Sequence, residues 1–191
     1  RMADEGLPLE EQLTDLGYAD PAAVMQRLAR WRSGKIRAIR SESARDAFET
    51  VLPAIMAALA QAPDSDRAIA RFDNMIEAMP SAINVFRLLE ARPGLLQLVG
   101  DILSYAPTLA DDLGRQSRYL DALIDTSAMH LPGDVAALQD AMQRRIGDAD
   151  YQSTLDIVRD YVGEKRFALG VQLIEGRSDA LDIARSYAHL A

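Results

Sequence analysis

The chain has 191 residues, 49% of them apolar, and its 29 acidic and 21 basic side chains give a net charge of −8. A chain of this length buries roughly 70% of its extended surface with no staple, and the lack of cysteine excludes disulfide scaffolds, thiolate zinc sites, iron–sulfur clusters and thiol nucleophiles. The acidic balance argues against a general nucleic-acid binder, and two histidines leave little room for imidazole chemistry.

Alanine (31) and leucine (24) far outnumber the 25 valines, isoleucines and threonines together. Straight-chain helix formers without β-branched partners predict an all-α fold, an irregular bundle of about eight to ten helices with no sheet. Asp20 before Pro21 is a helix entry, and Val24, Leu28 and Trp31 share one face of a helix that Gly34 stops. Ser43 with Asp46 reads as the start of the next helix, carrying Phe48, Val51, Leu52, Ile55, Met56 and Leu59, which Pro53 should kink or split. The Ala62-Pro63-Asp64-Ser65-Asp66 turn is the clearest break. It divides the expected organisation into residues 1–62 and 63–191, or punctuates one continuous domain.

A helix from Asp66 to about Met79 should bury Ile69, Phe72, Met75, Ile76 and Met79, and Pro80-Ser81 precedes a face of Ile83, Val85, Phe86, Leu88 and Leu89. Pro93, Pro107 and Ser117 each open a short helical segment, and residues 126–133 read as a loop. Asp134 caps a helix through Ile146. The longest helix is expected from about Tyr151 to Ile174, with Leu155, Val158, Tyr161, Val162, Leu169 and Leu173 inward. Gly176 stops it, and Ser178 should cap the last helix. The predicted core comprises Trp31, Phe72, Phe86, Leu96, Leu123, Tyr161 and Phe167. Arg1 precedes Met2, and the chain ends inside a helical pattern, so a piece of a longer protein is expected. Without a signal-like start or a long apolar run, the expected location is the cytoplasm, with no membrane partner.

Few residues offer chemistry. Asp148-x-Asp150 has the spacing of a two-metal carboxylate pair, but that chemistry needs a strand, and here the pair falls between helices with Asp150 as a natural N-cap. Asp111-Asp112 point in different directions on a helix, and His130 and His189 have no partner at helical spacing. No phosphate-binding glycine loop or serine elbow is present. No catalytic, cofactor-binding or metal-ligating residue is assigned. Charge segregation is the stronger signal. Residues 21–45 hold Arg27, Arg30, Arg32, Lys35, Arg37, Arg40 and Arg45 against Glu42, whereas residues 101–160 hold eleven aspartates against five arginines. Arg30, Arg32, Lys35, Arg37 and Arg40 are therefore a candidate docking surface, with Trp31 turned inward. Arginine's planar fork suits paired contacts with carboxylates, although a ratio of 19 arginines to 2 lysines over the whole chain weakens that point.

Three stretches carry a family resemblance. Residues 30–42 (RWRSGKIRAIRSE) are similar to an arginine-rich segment. Ala70-Arg71-Phe72-Asp73, Phe86-Arg87-Leu88-Leu89, Pro93-Gly94-Leu95-Leu96, Asp101-Ile102-Leu103, Ala106-Pro107 and residues 119–125 follow, and residues 166–177 (RFALGVQLIEGR) close the set. In this order they resemble the central helical region of the bacterial bifunctional glutamine synthetase adenylyltransferase/adenylyl-removing enzymes. The resemblance implies two flanking nucleotidyltransferase domains in cis. One removes AMP from a tyrosine of glutamine synthetase by phosphorolysis and the other adds it from ATP, under PII signal proteins and glutamine. Magnesium and ATP are implied for the parent enzyme and no cofactor for this region. The family's glycine turn and Asp-x-Asp strand match nothing here, so no catalytic residue carries over and the region alone is expected to be inactive, a linker or regulatory module. The rival readings are a stand-alone helical scaffold that binds a partner through the basic stretch, and an all-α enzyme using Asp148 and Asp150 with a divalent metal.

Overall fold

A computed structural model describes residues 8–116, 119 and 131–191 of the protein, and among them ten α-helices and no strand, as the composition predicts. The chain divides into two compact units, Arg1–Ser117 and Arg118–Ala191. The first holds α1 (Leu9–Leu16), α2 (Pro21–Arg32), a 3₁₀ turn (Arg37–Ile39), α3 (Glu42–Ala60), α4 (Ser65–Ala78), α5 (Ile83–Ala91), α6 (Pro93–Tyr105) and α7 (Pro107–Arg115). The second holds α8 (Val135–Ile146), α9 (Tyr151–Glu175) and α10 (Ala180–His189). The break at Ala62–Asp64 thus lies inside the first unit, where α3 and α4 pack on each other and on the 3₁₀ turn. It is a tight turn between neighbours rather than the boundary expected between residues 62 and 63. Among the described residues no helix is long and apolar enough to cross a membrane.

Side-chain acceptors set most helix starts. Asp20, Asp64, Asp134 and Asp150 each accept the backbone N–H three residues on, satisfying a donor the first turn leaves orphaned. Two expected caps move. The Oγ of Ser41, not Ser43, accepts from Ala44 N, because Ser41 is the residue with extended backbone while Ser43 already lies within the helix. Asp179, not Ser178, caps α10 through Leu181 N, and the Ser178 hydroxyl donates instead to Gln172 Oε1 at 2.8 Å. Pro53 does not split α3. The helix continues through it and buries Phe48, Val51, Leu52, Ile55, Met56 and Leu59 on both sides, so burial of that face outweighs the one backbone hydrogen bond a proline forfeits.

α3 is the hub of the first unit and packs against α5, α6, α4 and the 3₁₀ turn. Trp31 of α2 stands edge-on to Phe48 (5.9 Å between ring centroids) and to Phe72 (5.3 Å), and Phe48 meets Phe86 at 5.2 Å. Gly100 lets α6 approach α3 closely, since a Cβ there would come within 3.0 Å of the Ala58 methyl. Leu96, expected in the core, is only part-buried at the edge of α6.

In the second unit Phe167 stacks on Tyr119 with ring centroids 4.7 Å apart and planes 11° from parallel. The amphipathic reading of α9 fails at Leu155 and Leu173, which are 40% and 52% exposed. Burial on this helix is concentrated in the unbroken run from Phe167 to Gln172, where every face is covered, whereas residues 151–160 include no fully buried position. A single apolar stripe therefore does not describe it. Leu123 and, apart from Tyr119, the segment expected to start at Ser117 lie outside the described residues, as does most of the predicted loop, residues 126–130.

Tyr18 closes the first unit near α1. It is 3% exposed, and its hydroxyl donates to Met56 O at 2.8 Å. Burial, reinforced by the negative charge of Asp66, pushes its phenol well above the ordinary value. A folded-state pKa raised in this way adds stability that is fully present below the ordinary phenol pKa of about 10 and is lost as pH rises beyond it. Tyr18→Phe is expected to cost about 1 kcal/mol at neutral pH for the lost hydrogen bond, while flattening the decline of stability above about pH 10. Urea unfolding of both proteins at neutral and alkaline pH checks this; an equally steep alkaline decline in the variant would refute it.

Candidate functional site

The fold sorts the arginine-rich stretch into two groups. Three members, all on α2, are paired with acidic side chains of neighbouring helices. Arg27 Nη1 and Arg30 Nη1 donate to Asp73 Oδ2 at 3.1 and 2.7 Å, and Trp31 Nε1 donates to Asp73 Oδ1 at 2.7 Å. Arg30 also pairs with Glu77. Asp73 is 4% exposed, and a buried carboxylate is tolerable only because three donors surround it. The two arginine side chains keep 35% and 47% of their surface in water, so the cluster contributes more to fixing α2 on α4 than to net stability. Arg32 grips Glu49 of α3 with both prongs, Nε to Oε1 at 2.6 Å and Nη2 to Oε2 at 2.8 Å. That hydrogen-bonded pairing holds the Glu49 carboxyl below its ordinary range and the Arg32 guanidinium above its own.

The second group faces outward. Lys35, Arg37 and Arg40 are exposed, while the residues between them, Ile36, Ala38 and Ile39, are 5%, 1% and 0% exposed. Apolar side chains pin the segment from beneath, and Ala38 O accepts a hydrogen bond from Ala82 N at 3.1 Å. Arg45 Nη1 donates to Arg40 O at 3.0 Å and ties the segment to α3. Among the described residues the side chains of Lys35, Arg37 and Arg40 themselves make no ion pair or hydrogen bond. Paired contacts with acidic side chains are thus made by Arg30 and Arg32, and among the described residues none is made by Arg37 or Arg40. Trp31 is fully buried, as expected.

The acidic partners Asp73, Glu77 and Glu49 were not singled out in the sequence. Asp73 had a detectable signal: it stands four residues after Ile69 and three before Ile76, on the apolar face of α4 where a carboxylate needs a partner.

The remaining carboxylates are committed locally or lie apart. Asp150 Oδ1 accepts from Ser153 N at 3.0 Å and Oδ2 from Ser153 Oγ at 2.8 Å, and these bonds hold its carboxyl below the ordinary range. Both oxygens are thereby turned into the first turn of α9, and Asp148 sits in the preceding turn. Asp111 and Asp112 lie on α7, exposed and part-buried. His189 is in the last turn of α10, and His130 lies outside the described residues.

No family model matches the chain, and no solved structure matches it significantly. Curated relatives do. Over 95% of its length the chain is 30% identical to the bifunctional glutamine synthetase adenylyltransferase/adenylyl-removing enzyme of Brucella suis biovar 1, of which it covers 18%. It is 33% identical over 96% of its length to the protein of the same name from Bradyrhizobium sp. (strain BTAi1), covering 19% of it. The corresponding figures for Agrobacterium fabrum are 32%, 94% and 18%. The family read from the arginine-rich stretch is therefore the one to which the chain is similar, and the chain spans about a fifth of the length of these relatives.

Proposed function

We propose, from this kinship with bifunctional glutamine synthetase adenylyltransferase/adenylyl-removing enzymes, that the chain is a non-catalytic helical segment of such an enzyme, acting in the cytoplasm. Its role is to couple the nucleotidyltransferase domain that adenylylates glutamine synthetase to the one that deadenylylates it. The observation that carries the reading is the match over 95% of this chain to 18% of a protein named for both activities. The local geometry supports it: Asp150, the best metal-ligand candidate, is spent on capping α9, so ATP and magnesium belong to the flanking domains. The outward cations Lys35, Arg37 and Arg40 are the docking edge, held rigid by Ile36, Ala38 and Ile39 beneath them. They meet acidic groups of a flanking domain or of a PII-type regulator. Coupling requires such contacts to differ between the states the effectors select.

Replacing Arg37 and Arg40 together with glutamate in the intact enzyme is expected to change the ratio of the two activities by about fivefold or more, the usual scale of a coupling free energy. Each active site should keep its own KM. The isolated chain, given ATP, magnesium and glutamine synthetase, is expected to transfer no AMP. AMP transfer by the isolated chain would overturn the non-catalytic reading. An unchanged activity ratio in the double variant would remove the docking edge.

A further inference from the structure

α4 and α7 pack side by side, and their seam opens into a cleft of about 270 Å³. α7 presents small residues there, Ala110 and Gly114. The Gly114 backbone rides close over Met75, where a Cβ would lie 3.7 Å from the Met75 Cα. Four polar side chains line the opening: Arg71 and Asn74 from α4, Asp111 and Arg115 from α7.

Arg71 is anchored. Its Nη1 donates to Leu103 O at 2.6 Å and approaches Ser104 O at 3.4 Å. Leu103 O ends α6 opposite Pro107, which has no N–H to offer, so the guanidinium replaces the missing donor. This fixes a part-buried positive charge at the cleft wall, and among the described residues its other N–H groups have no partner. Asn74, Asp111 and Arg115 make no ion pair or side-chain hydrogen bond among the described residues. Asp111 and Arg115 are four residues apart and so share one face of α7.

Two guanidinia and an amide donate to an anion. A carboxylate beside them repels a fully ionised oxyanion but accepts from one that carries a hydroxyl. We infer that the cleft between α4 and α7 binds a protonated phosphate group, with Arg71, Arg115 and Asn74 donating to its oxygens and Asp111 accepting its P–OH hydrogen. The inference does not rest on the coupling role proposed above. The cleft has room for a small substituent on the phosphate, so a monoester and free phosphate share this chemistry.

Binding of glycerol 3-phosphate, inorganic phosphate and sulfate to the intact chain, measured by calorimetry and by chemical-shift changes at about pH 6, tests it. Near that pH a monoester is about half protonated, whereas sulfate carries no hydroxyl. Both phosphates are expected to bind at least about tenfold more tightly than sulfate, because a site built to receive a hydroxyl rejects an analogue without one. Arg115→Ala should weaken phosphate binding by about tenfold. Asp111→Asn should bring sulfate to within about threefold of phosphate. Tighter binding of glycerol 3-phosphate than of inorganic phosphate identifies a monoester, and the reverse identifies free phosphate. Equal binding of sulfate and phosphate by the unaltered chain, or no loss in Arg115→Ala, would overturn the inference, as would the absence of binding.

Discussion

Trp31→Ala is expected to destabilise the first unit by about 3–5 kcal/mol, the range for removing a large buried aromatic. Trp31 is fully buried, wedged between Phe48 of α3 and Phe72 of α4. Truncation opens a cavity where three helices meet and takes one of three donors from Asp73. Loss on that scale lowers the melting temperature by about 10 °C or more. Trp31→Phe separates the two effects. It keeps most of the ring volume and removes only the Nε1 donor, at about 1–3 kcal/mol for a buried partner left short of a hydrogen bond. Urea unfolding followed by circular dichroism measures both. If Trp31→Ala costs no more than Trp31→Phe, the hydrogen bond rather than the packing holds this corner, and the expectation fails.

Phe167→Ala is expected to have an effect of the same size, about 3–5 kcal/mol, with a harsher outcome. Phe167 is 1% exposed and stacks on Tyr119. In the second unit the buried apolar residues among those described are few, with Tyr119, Leu138, Tyr161, Leu169, Val171 and Ile183 the larger ones beside Phe167. A loss of that size is a large share of the stability of a domain. The chain's one tryptophan lies in the first unit, so its fluorescence reports that unit alone. In Phe167→Ala part of the helical circular dichroism should melt early, while the tryptophan transition stays in place. If both probes shift together, the two units unfold as one cooperative block and the separate accounting is wrong.

Family and fold class were legible in the sequence. Alanine and leucine rich in helical spacing, with Asp-Pro and Pro-led entries, leave a sheet no β-branched material. The order of the arginine-rich stretch, the Ala70–Asp73 segment and residues 166–177 carried the resemblance that the relatives bear out. Capping was legible wherever an aspartate alone preceded a helical run, as at Asp20, Asp134 and Asp150. It was not legible where two candidate side chains stood close together, Ser41 against Ser43 or Ser178 against Asp179. There the residue with extended backbone takes the cap, and side-chain type alone does not say which of the two that is.

Charge told a similar story. The sequence determined that residues 21–45 carry a surplus of positive charge, but not which of those charges remain available. Arg27, Arg30 and Arg32 are matched by Asp73, Glu77 and Glu49, residues that lie 17 to 47 positions further along the chain. Only the packing of α2 on α3 and α4 brings these partners within reach. The same holds for the cleft between α4 and α7, whose four polar side chains come from segments some forty residues apart, and for α9, whose Leu155 and Leu173 follow the helical period yet stay exposed. Local propensity and side-chain spacing are properties of a few adjacent residues, so the sequence by itself determined the helices, the caps where an aspartate stood alone, and the total charge. Burial and pairing depend on which remote surfaces meet, and that the tertiary structure alone decided.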